Sequence, residues 1–252
     1  MDSDFKDRFS NHAPKYRLYR PAYPDRLFSH LASLAPSRET AWDCATGNGQ
    51  SAARLSETFK QVYATDASSD QITHAIRKPN ILYSVSPAHA TALHDKSVDL
   101  ITVAQAIHWF DNEPFYREVR RVLKTEGIIA AWAYHLPEIC PGIDRVIGHL
   151  YYDILGRFWE KEISHIRSKY TRLFFPFEEL RSPVFTMKTS WSLAQLTGHL
   201  QTWSAVETYR EKNGDDPLDL VAPDLLSAWG RPSEPRDVAW QIFLKTGRQR
   251  SP

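Results

Sequence analysis

Asp43-Cys44-Ala45-Thr46-Gly47-Asn48-Gly49 places a carboxylate four positions ahead of a Gly-x-Gly turn. Glycine lets the backbone take conformations closed to other residues and lets a ligand approach it closely. A second acid, Asp66, follows 17 residues after Gly49. A carboxylate so placed can accept two hydrogen bonds from a ribose diol. A glycine turn followed by such an acid is the chemistry of a nucleoside site. Gly47-x-Gly49-x-x-Ala52 also fits the relaxed dinucleotide fingerprint, so this motif leaves a nicotinamide-dependent oxidoreductase open. Two features weigh against that reading. A buried acid at position 43 is costly unless it meets a cation or good hydrogen bonds, and nothing downstream reads as a second mononucleotide-binding half. The other dense cluster is Gln105-Ala106-Ile107-His108-Trp109-Phe110-Asp111.

These residues need strands and helices to hold them. Thr40–Cys44, Gln61–Asp66, Ile81–Val85, Val98–Ala104 and Ile128–Trp132 read as strands, separated by helical stretches. Such alternation predicts an α/β layer architecture with a mainly parallel sheet. Both motifs then fall just past the carboxyl ends of strands, where open α/β sheets bind ligands. Asp25 opens a helix ended by Pro36, Ser51–Phe59 forms the next, and Ser68 or Ser69 caps a third. Phe115, Val119, Val122 and Leu123 line a fourth helix, with Gly127 at its C′ position. From Ile143 to Phe158 apolar residues recur at helical spacing, predicting one long amphipathic helix. Strands over 184–191 and 238–245 close the chain, with helices over 193–209 and 216–229 between them.

Composition narrows the function classes. Thirty-one Lys and Arg against 30 Asp and Glu give a net charge of +1, which provides no global field for a polyanion and argues against nucleic acid as the partner. Two cysteines, Cys44 and Cys140, exclude a disulfide scaffold and a multi-cysteine zinc site. No apolar run is long enough to span a bilayer, and the polar N-terminus has no signal-peptide core, so a cytoplasmic protein with no membrane partner is expected. No second His or Cys stands near His108 at ligand spacing, so no metal is expected there. The bland alternatives are that Asp43 caps the glycine turn, that Asp66 caps the following helix, and that Trp109 and Phe110 are core.

Residues 40–135 resemble the class I S-adenosylmethionine-dependent methyltransferases, in the type 11 small-molecule subgroup. The resemblance rests on Asp43-x-x-x-Gly47-x-Gly49, on Asp66, on Pro87-Ala88-His89 and on Gln105-Ala106-x-His108-Trp109-Phe110. The last block, with Tyr19-Arg20-Pro21-x-Tyr23-Pro24 upstream, is similar to trans-aconitate methyltransferase and its relatives. Ala45 stands where the family's fuller pattern has its first glycine, and His89 where many members carry an acid. The resemblance implies a Rossmann-like fold: a mostly parallel seven-stranded sheet with helices on both faces and a helical lid. It implies S-adenosyl-L-methionine as cofactor. The Ala45–Gly49 loop would pass under the methionine part and Asp43 would face its ammonium. Asp66 would hold the ribose, Ala67, Ala88 and His89 would border the adenine, and Gln105 would sit beside the sulfonium. Tyr19 and Arg20 would close over the cofactor. The chain divides accordingly into an N-terminal lid segment (1–24), a cofactor-binding core (25–136), a helical insertion or lid (137–182) and C-terminal strands and helices completing the sheet (183–252).

The implied reaction is methyl transfer to a small-molecule acceptor, a carboxylate or other oxygen nucleophile. A carboxylate is ionised at neutral pH and needs no base. A phenol or amine calls for a base near pKa 7, for which His108 and His135 are the candidates. Trp109, in the cluster beside His108, is the third candidate for acting on the acceptor. A non-catalytic protein of the same fold is the remaining alternative.

Overall fold

A computed structural model describes Tyr19 and residues 21–249 of the 252. Arg20 and most of the predicted N-terminal lid lie outside the described residues. The strands are β1 (Thr40–Cys44), β2 (Gln61–Asp66), β3 (Ile81–Val85), β4 (Val98–Ala104), β5 (Leu123–Tyr134), β6 (Glu178–Leu180), β7 (Phe185–Trp191) and β8 (Arg236–Arg248). The helices are α1 (Asp25–Leu34), α2 (Gln50–Leu55), α3 (Ser69–Thr73), α4 (Asn112–Val122), α5 (Pro141–Gly148), α6 (Ser164–Arg167), α7 (Leu193–Leu200), α8 (Ser204–Asn213) and α9 (Ala222–Trp229).

The sheet order is β3-β2-β1-β4-β5-β8-β6, with β7 also paired to β8. β1 to β5 are mutually parallel and β8 runs antiparallel to its neighbours. β6 and β7 share the far edge of β8: β6 pairs with Thr246–Arg248 and β7 with Arg236–Ile242. The expected seven sheet positions are therefore filled by eight strands. The last position is divided around Pro183, which has no N–H to give to a ladder. β6 lies inside the segment read as lid, because three residues, Glu-Glu-Leu, carry no alternation to read.

Past the register shift between Val98 and Leu100, side chains alternate across this sheet. Ala41, Leu100, Ile128, Ala130 and Trp132 enter one core with Leu27, Phe28 and Leu31 of α1. Trp42, Ile101, Ile129, Ala131 and Ala133 enter a second core with Phe115, Val119 and Val122 of α4. The period of two is what places helices on both faces.

Five local expectations differ from what forms. The Ile143–Phe158 run is not one α-helix: α5 passes into a π-helical stretch at His149–Ile154 and a 3-10 turn at Gly156–Phe158. Apolar spacing fixes the buried stripe but does not distinguish these windings. The 193–209 stretch is two helices, broken at Gln201–Trp203, and the 216–229 stretch becomes helical only from Ala222. α2 stops at Leu55 and turns through to Phe59. Gly127 is not a helix cap. It lies within β5, where a side chain would press on the Lys124 carbonyl, and Glu126 carries the positive φ of 63°.

Candidate active site

β1 and β4 are neighbours, while the chain leaves β1 toward β2 on the other side. Their carboxyl ends therefore flank the switch point of the sheet, where a crevice forms. Asp43 on β1 stands in register with Thr102 on β4. The Thr102 hydroxyl donates to one carboxylate oxygen at 2.7 Å and the Thr46 hydroxyl to the other at 2.5 Å. Asp43 is thus both turn anchor and buried acid.

The turn after β1 is wound through left-handed conformations at every second residue, with φ of 53° at Ala45, 55° at Gly47 and 81° at Gly49. The missing first glycine has left a strained alanine in its place, a feature that gathers at functional sites. The two glycines are needed for different reasons. A Cβ on Gly49 would collide with the Tyr83 hydroxyl, whereas one on Gly47 would meet only Gln71 Oε1, at 3.7 Å. Among the described residues a side chain at Gly47 would therefore meet only Gln71, and the buried Nδ2 of Asn48 beside it has no partner. An open backbone cradle with a spare buried donor fits a polar ligand laid along the loop.

Asp66 ends β2 and ties the crevice together. One carboxylate oxygen accepts the Gly47 N–H at 2.8 Å, and the other accepts the Ser68 N–H at 2.9 Å. The Ser68 side chain, not Asp66, caps α3. The Asp66 carbonyl accepts the Ser86 N–H at 2.9 Å, drawing the loop after β3 alongside. That loop carries half-buried Ala88 and exposed His89, while Ala67 is half-buried at the end of β2.

Burial dominates the electrostatics. It raises Asp43 to a pKa of about 6 against the pull of both threonine hydroxyls, and the Asp66 charge adds to the rise. The folded protein therefore keeps the acid neutral below about pH 6 and ionised above it. Between about pH 4 and 6 the native state keeps a proton that the unfolded chain has released, so this group's contribution to stability falls as pH rises through that window. Above it, the buried charge costs on the order of 2–3 kcal/mol. Asp43→Asn should remove that cost. In urea unfolding, the stability of the variant relative to the parent should rise from about pH 4 to 7. A pH-independent difference would refute the shift.

The second sequence cluster lies beside the first. Gln105 at the end of β4 has φ of 57°, and His108 and Trp109 form a 3-10 turn. Gln105, His108, Trp109 and His135 line one cavity of about 110 Å³, together with Tyr134, Tyr151, Trp159, His199 and Trp203. The sequence-predicted acceptor residues thus converge. His108 shares a hydrogen bond of 3.0 Å with the Tyr170 hydroxyl through Nδ1. Burial lowers His108 to a pKa of about 3, with the nearby His165 adding to the effect. His135 falls to about 4, through burial and then through the charges of Arg167 and Lys169.

The 143–166 segment and α7 supply residues that the sequence did not single out. Tyr151 sits on the π-helical stretch, a winding frequent at functional sites. Its ring lies 4.6 Å from Trp159 and 5.5 Å from Trp203. His199, without a motif in the sequence, is buried among Trp191, Trp203 and Trp240 and binds the Tyr19 carbonyl through Nδ1 at 2.8 Å. Gly198 next to it leaves room for the Tyr19 ring. Phe110, by contrast, packs in the second core. Another cavity, of about 140 Å³, lies among α7, α9 and the 216–221 connection, lined by residues such as Leu193, Leu218 and Leu225 and away from the strand ends. Among the described residues no group of His, Cys, Asp and Glu could hold a metal ion, and no helix is long and apolar enough to cross a membrane.

Residues 42–131, which contain the glycine turn and the Gln105 cluster, match the type 11 methyltransferase-domain family. The chain is 33% identical over 229 residues to a protein of Dictyostelium discoideum named as a methyltransferase, covering 89% of this chain and 87% of that one. The chain belongs to the class I S-adenosylmethionine-dependent methyltransferases. A methyltransferase-like protein of Schizosaccharomyces pombe is 27% identical over 204 residues, with 79% of this chain and 78% of that one covered. Among solved structures, one from Anaeromyxobacter dehalogenans described as a type II methyltransferase superposes with a TM-score of 0.86 at 42% identity, covering 91% of this chain and 98% of that chain. The methyltransferase thus uses S-adenosylmethionine, and the nicotinamide reading of the glycine turn falls away.

Proposed function

We propose that this methyltransferase transfers its methyl group to a carboxylate oxygen of a small molecule held in the cavity between Gln105 and Trp203. One observation carries the reading. His108 and His135, the two histidines placed to act as bases, are held neutral by burial, at pKa values of about 3 and 4. A general base works best with a pKa near the working pH, so an acceptor that had to lose a proton in the step would find a poor recipient here. A carboxylate arrives ionised. The resemblance to trans-aconitate methyltransferase relatives points the same way.

In this reading the loop from Ala45 through Gly47 to Gly49 runs under the methionine part of the cofactor. Asp43 faces the ammonium and Asp66 the ribose. Ala67, Ala88 and His89 border the adenine, Gln105 stands beside the sulfonium, and Tyr19 closes the site from α7. The cofactor, when bound, supplies a methyl carbon on positively charged sulfur. Transfer of that methyl to an ionised carboxylate would give an ester and a neutral thioether, so His108 and His135 would have no proton to take up. The protein's part is alignment and exclusion of water: positioning alone can supply roughly 7–11 kcal/mol. Trp109, tilted against His108 at 5.0 Å, walls the cavity on the β4 side.

The test is product chemistry with a panel of carboxylic acids, phenols and amines. A base-labile methyl ester should form, with kcat flat between about pH 6 and 8 because neither histidine titrates there. Methylation of phenols or amines alone, or a kcat rising through a pKa near 7 that is lost on His108→Asn or His135→Asn, would overturn the reading.

A further inference from the structure

One side of the same cavity contains polar atoms that the methyl-transfer step does not use. Among the described residues the Tyr151 hydroxyl, on a residue only 3% exposed, is buried with no hydrogen bond of good geometry and only the Arg167 guanidinium acting on it, and His135 Nε2 is buried and unpartnered. Their rings meet edge to face, with centroids 4.7 Å apart and planes at 85°, and both line the cavity. Buried polar atoms without partners are few in folded proteins, and each asks for an explanation. Two in contact within one cavity indicate a place where a ligand completes the set.

The charges that act on Tyr151 and His135 are positive, while Glu160 accepts from the Ser204 hydroxyl elsewhere on the lining. The Arg167 guanidinium lies 5.1 Å from the Tyr151 ring centroid and 5.8 Å from that of Tyr152. It pairs with no carboxylate among the described residues, and the Tyr151 hydroxyl is the group it acts on. Lys169, two residues on, acts with Arg167 on His135. No Asp or Glu is among the cavity's lining residues. A cage of Tyr151, Trp159 and Trp203 could by itself suit a cation, but an unpaired arginine and a lysine beside it repel one.

We propose that Tyr151, His135 and Arg167 form an anion seat that binds the acceptor's carboxylate, with Arg167 as the residue that selects acids over their neutral analogues. The inference rests on the methyl-acceptor reading above for what occupies the cavity. Its geometry is simple: the tyrosine O–H and the Nε2–H tautomer of His135 donate, and Arg167 supplies the charge from the cavity's outer edge. The flat aromatic walls take the body of an aryl or similarly apolar acid.

Benzoate and its neutral isostere benzamide are the probes. Calorimetry and quenching of the Trp159 and Trp203 fluorescence follow their binding to the full chain, with and without saturating S-adenosylhomocysteine. The parent protein should bind benzoate at least about tenfold more tightly than benzamide, a difference of 1.4 kcal/mol. Arg167→Gln, at an exposed position, should remove most of that preference, and its benzoate affinity should lose its dependence on salt. Tyr151→Phe, which keeps the ring stack, should weaken benzoate several-fold and leave S-adenosylhomocysteine affinity unchanged. Equal binding of benzoate and benzamide, parental benzoate affinity in Arg167→Gln, or no saturable benzoate binding would overturn the seat. These outcomes are separate from failure of the methyl-acceptor reading, which shows as phenol- or amine-only products in the panel while the preference for benzoate persists.

Discussion

Replacing Asp66 by alanine will weaken S-adenosylhomocysteine binding by roughly 2–4 kcal/mol, a loss of about thirty- to several-hundred-fold. Two effects add. The ribose loses charge-assisted acceptors, each commonly worth about 1.5–3 kcal/mol. The glycine turn also loses its anchor, because the same carboxylate holds the Gly47 and Ser68 amides. Thermal stability will fall as well, since both amides are left to find water. Asp66→Asn separates the two effects. Its single carbonyl can keep one amide, so it should recover part of the stability while affinity stays low. Calorimetric titration of both variants decides the matter: lost stability with parental affinity would make Asp66 a loop anchor and nothing more.

The two glycines of the turn will fail in opposite ways. Gly47→Ala puts a methyl where only Gln71 Oε1 stands, at 3.7 Å. The fold then bears only the strain of a left-handed alanine, about 1–2 kcal/mol, but the methyl occupies the cradle, so cofactor affinity should drop by more than tenfold. Gly47→Val should abolish binding. Gly49→Ala drives its methyl into the Tyr83 hydroxyl at a φ of 81°, with the Ile76 nitrogen 3.4 Å away. It should cost stability first, about 2–4 kcal/mol. The Tyr83 hydroxyl donates to the Ile76 carbonyl at 2.6 Å, so the fair comparison is a double-mutant cycle with Tyr83→Phe. The cost of Gly49→Ala should shrink in that background. Chemical denaturation and cofactor titration of the two alanine variants measure both quantities, and matching profiles would contradict the division of roles.

The crevice at the switch point was legible because its residues are contiguous with strand ends. β1, β2 and β4 read as short apolar runs, and their carboxyl ends fell where the turn, Asp66 and Gln105 are found. The lid was far less legible. Tyr151 looked like one more apolar residue on a helical stripe, and only the π winding and the unpartnered hydroxyl distinguish it. His199 carried no motif because two of its partners, Tyr19 and Trp240, come from distant parts of the chain. The state of His108 and His135 was unreadable for the same reason: a pKa depends on how deeply the ring is buried, and depth belongs to the packed molecule. Gly127 misled because a glycine after a helix is usually a cap, whereas here the chain passes straight into a strand.

The place of β8 in the sheet has a consequence for how the chain is made. It is the last strand synthesised, yet it lies inside the sheet, with β5 on one side and β6 and β7 on the other. Its ladder with β5 joins Ile128 to Arg248 and Tyr134 to Ile242, contacts that close more than a hundred residues of chain. Such non-local pairing is slow. Until it forms, the nascent protein carries β5 as an open, wholly apolar edge from Ile128 to Tyr134, the kind of surface that recruits other chains. Pairing of β8 is thus the event that completes this sheet, and the interval before it is when a chaperone would matter most.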